Sequence, residues 1–129
     1  MKRTSVISTL VFSVLLFVSM IFCFYPQVSY ADAPQDVTIA YDSGAQTLAV
    51  TITHKSALPG FHHIKTVEIK KNSATVSKNN YDSQPKEVPF VYTYKVSAVP
   101  GDKLEVTATC NMSGSKTATM TVSKTTEKY

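Results

Sequence analysis

The stretch Phe90-Val91-Tyr92-Thr93-Tyr94-Lys95-Val96 decides the fold. Phe90, Tyr92, Tyr94 and Val96 fall on one parity, and Val91, Thr93 and Lys95 on the other. Successive side chains of a strand point to opposite faces, so this stretch predicts a strand with one face on a core and the other in water. The same alternation recurs on both sides. Downstream, Val99-Pro100-Gly101-Asp102 turns the chain, and Leu104, Val106, Ala108 and Cys110 form the inward set of the next strand. Asn111 to Ser115 makes a tight return, after which Ala118, Met120 and Val122 face inward. Upstream, Lys78 to Pro89 is a long polar connection, Ala74 to Ser77 a short edge strand, and Ile64 to Lys70 a strand ended by Lys71-Asn72-Ser73. Lys55 to Gly60 is a loop, Thr47 to Thr53 alternates with Leu48, Val50 and Ile52 inward, and Val37 to Tyr41 is closed by Asp42-Ser43-Gly44. About seven short strands with turn signals at regular spacing predict an all-β protein, an immunoglobulin-like antiparallel β-sandwich.

The first thirty residues are of another kind. Met1-Lys2-Arg3 opens with positive charge, Val6 to Tyr25 carries none, and Val28-Ser29-Tyr30-Ala31 supplies the small residues of a cut after Ala31. Residues 1–31 therefore read as a secretory signal peptide. The apolar run is long enough that an uncleaved membrane anchor is the alternative, and it is the only membrane attachment expected. Cys23, inside this run, reads as apolar filler. Residues 32–124 are then the domain and 125–129 a polar tail. The expected location is outside the cytoplasm, in the periplasm.

The chain has 13 lysines and arginines against 9 acidic residues, but Lys2 and Arg3 belong to the leading segment and no arginine follows. The lysines are scattered, with only Lys70 and Lys71 adjacent. A nucleic-acid surface needs clustered cations, so nucleic acid is excluded as a partner; a homodimer or a protein partner is not. Cys110 stands alone in the domain, which rules out an internal disulfide. A lone thiol in an oxidising compartment is unusual, and its plainest reading is a small buried apolar group.

His54, His62 and His63 lie close together in the chain. His54 continues the inward series Leu48, Val50, Ile52, and Cys110 continues Leu104, Val106, Ala108, each at the end of its strand. If successive strands reverse and Ala74 to Ser77 is a strand, both ends lie at one pole, and the loop after His54 returns through His62 or His63 at that pole. Imidazole and thiolate together suit zinc, copper or iron rather than oxygen-seeking cations. Three donors leave water, Met112 or another group to complete the set. The competing reading gives His54 a hydrogen bond to loop backbone, leaves His62 and His63 exposed, and needs no metal.

The segments His54-Lys55-Ser56-Ala57-Leu58-Pro59-Gly60-Phe61-His62-His63-Ile64 and Cys110-Asn111-Met112-Ser113-Gly114 resemble the two metal-ligand stretches of the superoxide reductase family, which includes desulfoferrodoxin and neelaredoxin. The first stretch in that family is His-Pro-Met, a short gap and His-aromatic-Ile; the second is Cys-Asn-x-His-Gly. The resemblance implies an immunoglobulin-like domain and an iron centre of four histidines and one cysteine, with His54, His62 and Cys110 as carried-over ligands. Here the loop is longer, Pro-Met is absent, Ser113 takes the place of one ligand histidine, and no histidine precedes His54 to match the family's Glu-Lys-His segment. The expected function is therefore an exported superoxide reductase-like domain with a mononuclear metal site and an incomplete iron set. The alternatives are a non-catalytic sandwich that binds copper, zinc or a protein partner, and a sandwich with no cofactor. Asn111-Met112-Ser113 also matches a glycosylation sequon, but a hairpin turn accounts for it. No Gly-rich phosphate loop and no Ser-His-Asp arrangement stands out.

Overall fold

The computed structural model describes residues 2–22 and 33–124. The cut after Ala31, Cys23 and the polar tail 125–129 lie outside the described residues. A helix, α1, covers Lys2–Phe22. Seven strands follow: β1 Asp36–Asp42, β2 Thr47–Thr53, β3 Ile64–Lys71, β4 Ala74–Asn80, β5 Phe90–Lys95, β6 Lys103–Cys110 and β7 Ser115–Thr121. They form two antiparallel sheets in the orders β1-β2-β5 and β4-β3-β6-β7. The constant-type immunoglobulin arrangement has four and three strands. Here β4 pairs with β3, so the split is three and four.

The parity rows become the core. Leu48, Val50 and Ile52 of β2 and Leu104, Val106 and Ala108 of β6 are wholly buried, and Phe90, Val37 and Val122 join them. Each such aliphatic side chain contributes about 1.5–3 kcal/mol by leaving water. Tyr92 and Tyr94 continue the Phe90 row at an edge strand and are only half-buried. Tyr81 covers them from the other sheet, its ring stacked on Tyr92 at 4.4 Å and its hydroxyl 2.7 Å from that of Tyr94.

Two departures from simple alternation matter. β4 extends to Asn80 instead of stopping at Ser77, because Lys78, Asn79 and Asn80 pair through their backbones with Glu68, Val67 and Thr66 while their polar side chains stay at an open edge. In β3 both Ile64 and Val67 are buried, three residues apart. The pairing with β6 slips between Ile64 and Thr66, so Lys65 is the extra residue of a bulge. That bulge sets Ile64 inward beside its partner Cys110.

The β6–β7 return depends on Gly114, whose φ of +80° suits glycine. A Cβ there would lie 2.6 Å from Cβ of Ala33. Gly114→Ala is expected to lower stability by about 1–3 kcal/mol through strain and clash, read by urea denaturation. A second expectation concerns alkali. Burial, and then the hydroxyl bond from Tyr81, push the Tyr94 phenol well above the usual tyrosine range. The native state thus keeps a proton that the unfolded chain releases, so this contribution is present below about pH 10 and fades as pH rises beyond it. Tyr94→Phe should flatten the alkaline loss of stability in denaturation curves taken at stepped pH; an unchanged slope would remove this account.

Candidate metal centre

The ends of β2 and β6 meet at one pole of the sandwich. His54 directly follows β2 and is 1% exposed; Cys110 closes β6 and is 5% exposed. Between β2 and β3 the chain leaves the sheet and folds back in a turn, where the N–H groups of Phe61 and His62 donate to the Leu58 carbonyl at 2.9 and 2.8 Å. This turn brings His62 over His54, ring edge to ring face, with centroids 4.7 Å apart at 75°. One donor atom each from His54, His62 and Cys110 lies within 4.8 Å of the other two. An ion held at about 2.0–2.3 Å needs its donors within about 4 Å of one another, so the set would have to close by under about 1 Å to hold one.

His63 is not part of the cluster, although it is buried at 8% exposure. Its Nε2 faces the Tyr81 carbonyl at 3.1 Å, which makes that nitrogen the donor, and its Nδ1 is buried with no hydrogen-bond partner among the described residues. The reading of His62 and His63 as exposed loop residues is thus corrected: His62 is half-buried against His54 and His63 is inside. The two histidines lie on the inner side of the loop, while Lys55, Ala57, Leu58, Gly60 and Phe61 stay exposed.

Two side chains hold the ligand loops, and neither was nominated from sequence as part of the site. Asn111, next to Cys110, brackets His62. Its Oδ1 accepts from His63 N–H at 2.9 Å, its Nδ2 donates to Phe61 O at 2.7 Å, and its own N–H donates to His63 O at 3.0 Å. The Cys-Asn pair of the second segment is the signal that could have found it; as a site for a glycan this side chain is already engaged. Gln84 enters from the β4–β5 connection and is 6% exposed. Its amide contacts His54 Nδ1 at 2.6 Å, Ile64 N at 3.1 Å and His54 O at 2.8 Å. No local pattern marks a glutamine in a polar connection as buried. The Cys110 Sγ accepts the N–H of Met112 at 3.4 Å, the type of contact that steadies a thiolate. Leu58, Phe61 and Met112, in the two segments that carry His62 and Cys110, are exposed apolar side chains.

The iron centre implied by the sequence resemblance has four histidines and one cysteine. Ser113 is exposed, and among the described residues three His and Cys donors gather instead of five. The four-histidine, one-cysteine set does not fit. Two imidazoles and a thiolate fit a copper or zinc ion with a position left for water or another ligand.

Asn111→Ala would leave His63 N–H without its acceptor and release both residues flanking His62. A loss of about 1–3 kcal/mol in stability is expected, with the β-sandwich retained, measured by urea denaturation and circular dichroism.

No protein-family profile and no curated protein matches the sequence. Among solved structures, the chain is similar to the superoxide reductase (1Fe-SOR) of Giardia intestinalis, with a TM-score of 0.46 and 14% identity over 70% of this chain and 97% of the other. It is also similar to a superoxide reductase of Nanoarchaeum equitans, with a TM-score of 0.42 and 14% identity over 71% of this chain and 93% of the other. The likeness is weak, and the chemistry of the pole rests on its own donor atoms.

Proposed function

We propose that this protein is an exported β-sandwich that binds one borderline-soft transition-metal ion, copper or zinc before iron, through His54, His62 and Cys110. The observation that carries the reading is the convergence of two imidazoles and a thiol from separate segments to within 4.8 Å at a largely buried pole. Gln84 Oε1 holds the His54 ring, the His62 ring packs on His54, and the Met112 N–H contacts Cys110 Sγ, so each donor has its own support. Copper would add one-electron chemistry to the site, and zinc would not. Reduction of superoxide, the activity implied by the two segments, would require an iron ligand set that this chain does not assemble alone.

Export supports the same reading. The positive start, the apolar run and the small residues before Asp32 fit a secretory leader. A lone thiol outside the cytoplasm is exposed to oxidation unless it is shielded or ligated. Cys110 is buried and lies beside two imidazoles, which answers both needs.

The purified protein should take up one equivalent of cupric or zinc ion and less than one of ferrous iron, measured by elemental analysis after dialysis. With copper, a sulfur-to-metal charge-transfer band should appear in the visible spectrum and be absent from Cys110→Ser. Retention of no metal by the folded wild-type protein would end this reading.

A further inference from the structure

We propose that Gln84 is the positioning residue of this centre: its amide holds His54 in the tautomer that presents Nε2 and ties together both ends of the loop carrying His62. The inference rests on the metal reading for its purpose, while its structural part can be tested without metal.

The orientation of the amide follows from its main-chain partners. Ile64 N–H can only donate, and the His54 carbonyl can only accept. The first lies 3.1 Å from Oε1 and the second 2.8 Å from Nε2, so a flipped amide would set donor against donor and acceptor against acceptor. With the amide so placed, Oε1 has only lone pairs to offer. His54 Nδ1 lies 2.6 Å from that oxygen and must carry the proton. A neutral imidazole protonated at Nδ1 has its lone pair on Nε2, which is then the donor to a cation. The opposite tautomer would press two lone pairs together in a buried place.

The same side chain spans the loop. His54 is its first residue and Ile64 the first residue of β3, and one amide bonds to both. The Gln84 N–H adds a bond to the Pro59 carbonyl at 3.3 Å, in the middle of the loop. His62 lies within the closed segment. The β4–β5 connection thereby acts as a clamp on the ligand loop, although it contributes no donor atom of its own.

Gln84→Met keeps the length of the side chain and removes its hydrogen bonds; Gln84→Glu keeps an acceptor for the Nδ1 proton. Heteronuclear NMR of the imidazole nitrogens in the metal-free protein reads the tautomer directly, and chelator competition with zinc reads affinity. Wild type and Gln84→Glu are expected to show His54 protonated at Nδ1. Gln84→Met should populate the Nε2-protonated form and bind zinc about 10–100-fold more weakly, as for lost outer partners of a ligand histidine. A wild-type His54 protonated at Nε2, or a tautomer unchanged in Gln84→Met, overturns the proposal. If the tautomer follows residue 84 while wild type binds no metal, the positioning role stands and the metal reading falls. Metal binding with a tautomer indifferent to residue 84 gives the converse. Should Gln84→Met fail to fold, the wild-type and Gln84→Glu tautomers decide.

Discussion

Strand direction is the constraint on which the rest depends. In an antiparallel sandwich each added strand reverses the chain, so the poles at which two strand ends lie are set by how many strands stand between them. β3, β4 and β5 separate β2 from β6, and this odd number brings the ends at His54 and Cys110 to one pole. β4 is the weakest member, an edge strand with mostly polar, exposed residues. Its backbone pairing with β3 keeps the parity of the fold. The bulge at Lys65 makes the second adjustment, turning Ile64 inward against Cys110 so that the apolar floor of the pole stays closed.

Above that floor the balance of forces changes. The core gains about 1.5–3 kcal/mol per buried aliphatic side chain, against a comparable entropic cost of ordering the chain. Apolar burial is tolerant of detail and does not by itself place a loop to within an ångström. The loop from His54 to His63 has no ladder to satisfy its backbone, and a buried polar group left without a partner costs about 1–3 kcal/mol. Gln84 and Asn111 answer this need with seven bonds to the loop and its two ends, including those from their own backbones. The geometry of the pole is thus set by hydrogen bonds, while its location is set by the core.

Chemistry follows from that division. Two nitrogens and one sulfur favour ions of intermediate softness, and the donors lie at a largely buried pole, with His54 and Cys110 buried and His62 half-buried. The family stretches and this chain share the cysteine and two histidines, but the departures remove imidazoles from both remaining places. Three protein donors in place of five make a different ligand set from the one the two segments imply.

Alternation along the chain determined, from sequence alone, the β class, nearly every strand and the inward rows of β2, β5 and β6, because side-chain parity is a local property of an extended backbone. It also placed His54 and Cys110 at inward strand ends, and the reversal rule then brought them together. The length of β4 and the bulge at Lys65 were not legible, since backbone pairing at an edge leaves little trace in side-chain hydrophobicity. Gln84 was invisible for a stronger reason. A glutamine between a serine and a proline looks like any solvated loop residue, and it becomes buried only because the β4–β5 connection crosses over the ligand loop. Spacing alone left His62 and His63 as alternatives, and only the family resemblance named His62. The physical reason is tertiary, since adjacent residues point apart and the turn at Leu58 sets the His62 ring against His54 while the Tyr81 carbonyl engages His63.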